Sequence, residues 1–134
     1  MADLGDWDDD DTAGAEEPPP RRYETLDEFV GDFLAETLWL DFTGQSRIWC
    51  PEWWRHPGAI MRLDALHRAF EALRQDPGTG ISTWILHHAD PHMLALTNPH
   101  GVFKGCSTDR GHDAARERII PVVPPPTQLF TRDD

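Results

Sequence analysis

Two stretches of this sequence place their apolar residues at the three-and-four spacing of one α-helical face. The first begins at Thr25, where Glu28 completes a capping-box pattern, and the second begins at Pro57, because proline is tolerated at the first helical position. Their apolar stripes are Leu26, Phe29, Val30, Phe33, Leu34 and Leu38 in the first stretch, and Ile60, Leu63, Leu66, Phe70 and Leu73 in the second. The sequence therefore predicts two amphipathic helices.

The stretch from Gly80 to His88 predicts a third helix, and Met93, Leu94 and Leu96 predict a short fourth one. Asp90-Pro91 is expected to separate them, because proline has no amide hydrogen and its ring clashes with the preceding turn. Asp90 then caps the fourth helix. These patterns predict a mainly α fold, a small bundle of three to four helices, with room for a minor β-hairpin near Arg47 and Val102.

The charge of the chain is unevenly distributed. There are 24 acidic and 12 basic residues, a net charge of −12, and eight of the acidic residues but none of the basic ones lie within residues 1–20. That segment has too few apolar groups to offset the entropy of ordering it. We expect a disordered acidic tail over residues 1–21, a helical core domain over 22–106, and a mostly extended or disordered proline-rich tail over 107–134.

The composition also excludes classes of protein. Phosphate affinity depends mainly on Lys and Arg, so an acidic chain is not expected to have nucleic acid as its partner. No apolar run reaches the ~18 residues that a membrane helix needs, and the acidic start lacks the basic and apolar regions of a secretory signal. We expect a cytoplasmic protein that does not contact a membrane.

The two cysteines, Cys50 and Cys106, lie at the edges of irregular connections and near histidines. His56 follows Cys50 after a tight turn, and His88 and His92 flank the expected break before the fourth helix. Zinc takes four nitrogen or sulfur ligands in a tetrahedron, so the candidate metal ligands are Cys50, Cys106 and two of His56, His88 and His92. The residues alone favour two reduced, buried thiols, and they leave a zinc site and a disulfide open as alternatives.

Several other residues have ordinary structural interpretations. His67 and His87 fall at surface positions of their helices, and His56 could equally be a helix cap. A carboxylate such as Glu52 beside a turn is usually solvated. The tryptophans expected in the core, rather than in a cofactor site, are Trp49, Trp53, Trp54 and Trp84.

A set of short motifs resembles a known family. They are Trp49-Cys50-Pro51-Glu52-Trp53-Trp54, His56-Pro57, Arg62-Leu63-Asp64-Ala65-Leu66, Phe70-Glu71-Ala72-Leu73-Arg74, His88-Ala89-Asp90-Pro91-His92-Met93 and Gly101-Val102-Phe103-Lys104-Gly105-Cys106. Together they resemble a domain of unknown function in small actinobacterial proteins, often encoded on plasmids, integrated elements and phages. The resemblance covers about residues 25–106.

The resemblance adds weight to a metal site. In that family the recurring motifs include the positions that match Cys50, His56, His88, His92 and Cys106, which favours zinc as the cofactor. The sequence departs from the family at His67 and Phe70, where tryptophan is usual, and at Val102, where proline often stands. These departures concern packing and leave the candidate ligands in place.

Three functions fit these observations. The leading one is a non-catalytic, zinc-stabilised interaction or accessory protein of an actinobacterial mobile element or phage, with a protein partner that the sequence does not identify. A zinc-dependent hydrolase, with Glu52 or Asp90 activating water, is an alternative. An acidic DNA mimic that inhibits a host nucleic-acid enzyme is another. No phosphate loop, nucleophile elbow or paired-carboxylate motif is present, so no catalytic residue is assigned.

Overall fold

The structure is a computed structural model that describes residues 19–38, 40–114 and 120–131. Over these residues the chain forms three helices and no β-strand, which confirms the mainly α prediction. Residues 1–18, which are most of the acidic tail predicted at residues 1–21, lie outside the described residues. Within the described ranges, none of the helices is long and apolar enough to cross a membrane.

Helix α1 covers residues 26–37 and begins at the predicted cap. The hydroxyl of Thr25 accepts a hydrogen bond from the amide of Glu28 at 3.4 Å. Between two short α-helical ends, Leu26–Glu28 and Ala35–Thr37, the middle of the helix, Phe29–Leu34, is π-helical. The buried residues of this helix are Phe29, Val30 and Leu34, all from the predicted apolar stripe.

Helix α2 is Pro57–Leu73, and its proline occupies the first turn as predicted. Leu63, Leu66 and Phe70 from the predicted stripe are buried, whereas Ile60 is 38% exposed. A short turn then leads to α3, where Gly80 is buried. A β-carbon at Gly80 would lie 1.8 Å from the carbonyl oxygen of Leu73, so only glycine permits this close approach of the two helices.

Helix α3 covers residues 80–96 without interruption, so the predicted break at Asp90-Pro91 is wrong. Its central segment, Ile85–Ala89, is π-helical, and the amide of Asp90 bonds to the carbonyl of Ile85 five residues earlier. The wider turn immediately before Pro91 gives the proline ring room, and a π-turn is one of the known sites where a helix tolerates such a residue. The expected fourth helix is therefore the last part of α3.

In the part of the chain that the structure describes, the connections around α2 and α3 form no hairpin. At the position where a minor β-hairpin was considered, the amide of Ile48 donates to the carbonyl of Thr97 at 2.8 Å, but no ladder continues from it. Among the described residues the one β-type pairing is an isolated bridge between Ser107 and Gly111.

An aromatic cluster joins the three helices. Phe29 and Phe33 of α1 and Phe70 of α2 surround Trp84 of α3, with ring centroids 5.4 to 6.3 Å from the indole. Trp84 is 1% exposed, and its Nε1 donates to the carbonyl of Leu66 at 3.0 Å. The polar end of the indole is therefore satisfied where the three helices meet.

His67, which the sequence placed on the surface, is 1% exposed, so that prediction is wrong. Its ring stacks on Phe29 at 4.6 Å. Its Nε2 donates to the carbonyl of Tyr23 at 2.9 Å and lies 3.1 Å from a carboxylate oxygen of Glu71. These partners satisfy a polar group that the helical pattern alone assigned to solvent.

Glu71 holds the chain before α1 against α2. Its carboxylate accepts the backbone amides of Arg22 at 2.9 Å and Tyr23 at 3.0 Å, and the Nε of Arg74 at 3.0 Å. Burial alone would raise the pKa of Glu71, but these hydrogen bonds and the one with His67 lower it below its usual value. The ionised carboxylate therefore stabilises the fold.

We expect Glu71→Gln to lower the free energy of unfolding at pH 7 by about 1–3 kcal/mol, because hydrogen bonds to a charged group are lost. The pKa of Glu71 is lower in the folded than in the unfolded chain, so its contribution is present above the unfolded pKa of about 4.3 and is lost as the pH falls through the folded pKa. Urea unfolding should therefore show a difference between the two proteins at pH 7 that shrinks near pH 3. Glu36→Gln, at an exposed position of α1, is the control. An equal difference at both pH values would contradict the expectation.

Candidate metal centre

The first half of the candidate site is the turn from Cys50 to His56. The amide of Arg55 donates to the carbonyl of Glu52, and the amide of His56 donates to that of Trp53, both at 3.0 Å. This single 3-10 turn, Trp53–Arg55, reverses the chain, so that the imidazole of His56 returns toward the thiol of Cys50. His56 is also the N-cap residue of α2, which fixes its backbone to a rigid helix.

The second half is the loop from Cys106 to His112. The amide of Ser107 donates to the carbonyl of Gly111 at 3.1 Å, and the reverse bond is 2.8 Å long. Gly111 has φ +83°, a conformation that side chains disfavour, and it closes the loop. The bridge places Cys106 and His112 side by side at its open end.

The two loops bring four ligand atoms together. The Sγ atoms of Cys50 and Cys106, the Nε2 of His56 and the Nδ1 of His112 all lie within 4.8 Å of one another. The Nδ1 of His112 is 3.2 Å from the Nε2 of His56 and 3.3 Å from the sulfur of Cys50. The sulfur of Cys106 is 3.7 Å from the Nε2 of His56 and 3.8 Å from the Nδ1 of His112.

These separations fit a metal tetrahedron. With metal–nitrogen bonds of about 2.05 Å and metal–sulfur bonds of about 2.3 Å, tetrahedral geometry places nitrogen atoms about 3.3 Å apart and nitrogen and sulfur about 3.6 Å apart. Each of the four distances above agrees with these values to within about 0.3 Å. The buried Cys2His2 cluster could therefore hold a metal ion.

Most of the cluster is buried, and its two cysteines form no disulfide. Cys50 is fully buried, Cys106 is 2% exposed and His56 is 7% exposed, while His112 is half-buried. Both cysteines are free. Burial, together with the neighbouring Cys106, raises the pKa of the Cys50 thiol to about 12, against the opposing effect of a hydrogen bond from the backbone of Glu52. Without a cation the sulfur of Cys50 is thus held as a neutral thiol, and a bound cation would favour its thiolate.

Neighbouring groups fix the orientation of the ligands. The ring of Phe103, itself fully buried, meets the ring of His56 edge-on at 5.0 Å. The amide of Asp113 donates to the sulfur of Cys106 at 3.4 Å, which fixes the position of that sulfur. A polar cleft of about 630 Å³, lined in part by Lys104 and Arg110, borders Cys106 and His112 and gives an ion an access route.

The structure brings together three of the candidate ligands named from the sequence, Cys50, His56 and Cys106, and adds His112. His88 and His92 lie elsewhere, on α3. The Nδ1 of His92 is 3.1 Å from the Nη1 of Arg62, and burial, Arg62 and His88 lower the pKa of His92.

A signal for His112 was present in the sequence. Five residues separate Cys50 from His56, and five separate Cys106 from His112, so the same Cys-x5-His spacing occurs twice. Composition placed the end of the core domain at residue 106, inside the second of these pairs. The 22–106 boundary stays a prediction, but the described residues 107–113 belong to the loop that carries a ligand.

The two carboxylates considered for catalysis are not among the four clustered ligands. The carboxylate of Glu52 pairs with the Nε of Arg55 at 2.7 Å, and Asp90 is exposed on α3. Of the four tryptophans expected in the core, Trp84 is buried, whereas Trp54 is 54% exposed and lies under the guanidinium of Arg55.

Comparison with known protein families finds a match. The sequence model of a family described as a domain of unknown function, DUF4913, matches residues 23–126. No curated protein matches the chain, and no solved structure matches it. The matched region contains all four residues of the cluster and most of the chain. The chain therefore belongs to the DUF4913 family.

Proposed function

We propose that Cys50, His56, Cys106 and His112 bind one Zn²⁺ as a structural site, and that the protein is a non-catalytic, zinc-stabilised accessory protein. The observation that carries this proposal is the convergence of four nitrogen and sulfur ligand atoms within 4.8 Å at the meeting point of two loops. Two thiols and two imidazoles are a typical ligand set of structural zinc.

The chemistry of the ligands supports zinc over other common ions. Calcium and magnesium prefer oxygen ligands in larger coordination shells. Iron–sulfur clusters are usually held by four thiolates, and copper(I) favours sulfur ligands. A mixed sulfur and imidazole tetrahedron in a buried site suits zinc, which undergoes no redox chemistry that the site would need to control.

The position of the cluster supports a structural role. It connects the turn before α2 to the loop after α3, two segments that few backbone hydrogen bonds join. A core of this size has a small margin of stability. Binding to ligands that assemble only in the folded state contributes directly to the free energy of folding.

A zinc hydrolase would need a different site. A catalytic zinc keeps one position for water and is usually held by three protein ligands. Four protein ligands leave no such position, and the carboxylate of Glu52 already pairs with Arg55. The non-catalytic proposal is therefore the better supported one. The motifs quoted above support its wider form, an accessory protein of an actinobacterial mobile element or phage that acts through a protein partner.

Metal analysis of matched histidine variants tests the zinc proposal. We expect one zinc per chain in the purified protein, and we expect His92→Ala to retain it. His112→Ala should lower the affinity for zinc by more than about 100-fold. Mutating a residue that only supports a metal ligand already lowers metal affinity by about 10–100-fold, so removing a ligand itself should cost more. Elemental analysis and competition with a chromophoric chelator measure both quantities. Absence of zinc from protein prepared in zinc-containing medium, or retention of full affinity by His112→Ala, would contradict the proposal.

A further inference from the structure

Residues 120–126 take no part in the metal centre or the helical core. They form neither helix nor strand, and the side chains of Ile120, Val122 and Val123 are 82%, 81% and 89% exposed. The segment ends in a turn in which the amide of Leu129 donates to the carbonyl of Pro126 at 3.2 Å. Adjacent β-branched side chains left in solvent are typical of a surface that binds another molecule.

The backbone of this segment has little freedom. Residues 121, 124, 125 and 126 are prolines, whose φ is fixed near −65°. The residue before a proline is restricted to extended or polyproline II conformations. Val122 is the one residue of this segment that is neither a proline nor followed by a proline. The segment therefore favours polyproline II and loses little conformational entropy when it binds in that form.

The same prolines oppose addition of this segment to a β-sheet. A strand that pairs with a sheet edge must donate its backbone amides, and proline has none. Four of the seven residues in this segment are prolines. Recognition is therefore expected through side chains and carbonyl oxygens, which is how polyproline II ligands are bound.

The spacing of the prolines creates a two-part ligand. Polyproline II has three residues per turn, so Pro121 and Pro124 lie on one edge. Ile120 and Val123 precede them on the neighbouring edge. The pairs Ile120-Pro121 and Val123-Pro124 thus repeat at a separation of about 9 Å. Pro125 lies on the third edge, away from these two pairs.

The family match includes this segment. It extends to residue 126, the last of the prolines, well beyond the second loop of the metal centre. The segment therefore lies within the matched region, although its apolar side chains are more than four-fifths exposed. Packing against the core does not account for these exposed apolar side chains, whereas binding to a partner does.

We propose that residues 120–126 are a polyproline II ligand, recognised by a partner protein through a groove lined with aromatic side chains that accepts Ile120-Pro121 and Val123-Pro124. This inference rests on the proposed function, because it names the segment through which the accessory protein engages its partner.

The test uses two representative domains with aromatic-lined polyproline II grooves, an SH3 domain and a WW domain, as probes. Each is titrated into the isotopically labelled, full-chain protein while the NMR signals of residues 120–131 are followed. Carbon-detected spectra report the prolines. We expect saturable shifts in residues 120–126 with one of the probes, binding about tenfold weaker in Pro124→Ala, and a change of less than about twofold in Pro125→Ala.

The neighbouring prolines make a close pair, because each substitution frees one fixed φ angle and only Pro124→Ala removes a residue from the binding edge. Equal losses in the two variants, or no saturable shift with either probe, would overturn the proposal. Shifts that depend on the concentration of the protein alone would assign the segment to a second copy of the chain and would also overturn it. Zinc content measured on the same samples reports the proposed metal site separately, so failure of one proposal is distinguishable from failure of the other.

Discussion

Cys106→Ser is expected to leave the protein largely unfolded at 37 °C. The substitution removes a ligand from the proposed zinc site, which joins the turn before α2 to the loop after α3. Zinc binding contributes about 10–16 kcal/mol in small zinc domains, whereas the whole stability of a domain is about 5–15 kcal/mol. Losing even part of the zinc contribution therefore removes most of the free energy of unfolding. Thermal unfolding followed by circular dichroism, with zinc and with a strong chelator, measures the effect.

The chelator separates loss of metal from loss of packing. If zinc is the cause, the wild type in chelator should unfold at about the same temperature as Cys106→Ser, and added zinc should restore only the wild type. Equal transition temperatures for the two proteins in zinc would refute a stabilising metal. A variant that is less stable than the chelated wild type would indicate that the thiol also contributes by packing.

Trp84→Ala is expected to lower the free energy of unfolding by about 3–5 kcal/mol, the usual cost of removing a large buried aromatic side chain. Trp84 contacts the rings of Phe29, Phe33 and Phe70, so its removal opens a cavity where all three helices meet. The carbonyl of Leu66 also loses the indole donor. The midpoint of urea unfolding, measured in zinc-containing buffer, reports the change.

Trp54→Ala is the matched control for this prediction. Trp54 is 54% exposed, so its removal should change the free energy of unfolding by less than about 0.5 kcal/mol. If the two tryptophan variants lost similar amounts of stability, the aromatic cluster around Trp84 would not be the centre of the core.

Much of the helical architecture was readable in the sequence because its causes are local. The cap at Thr25, the proline that starts α2 and the apolar stripes each act within a few residues, and each is present in the structure. The continuity of α3 was not readable in this way. A π-helical turn before Pro91 admits the proline, and the hydrogen bonds of that turn depend on how the helix packs over its whole length.

His67 and Ile60 show the same limit on helix α2. The helical pattern of α2 predicts an exposed His67 and a buried Ile60, yet His67 is buried and Ile60 is exposed. A helical pattern assigns a side chain to the core or to the surface by its polarity alone. The structure supplies partners, Tyr23 and Glu71, that make burial of an imidazole favourable.

The sequence by itself determined the class of the fold and the start of each long helix, and it named Cys50, Cys106 and two of His56, His88 and His92 as candidate metal ligands. Only the tertiary structure decided that His112 completes the cluster and that His88 and His92 do not. The physical reason is distance along the chain. Each Cys-x5-His pair is closed by a local turn, but the two pairs are separated by α2 and α3, and they meet only because those helices pack together around Trp84.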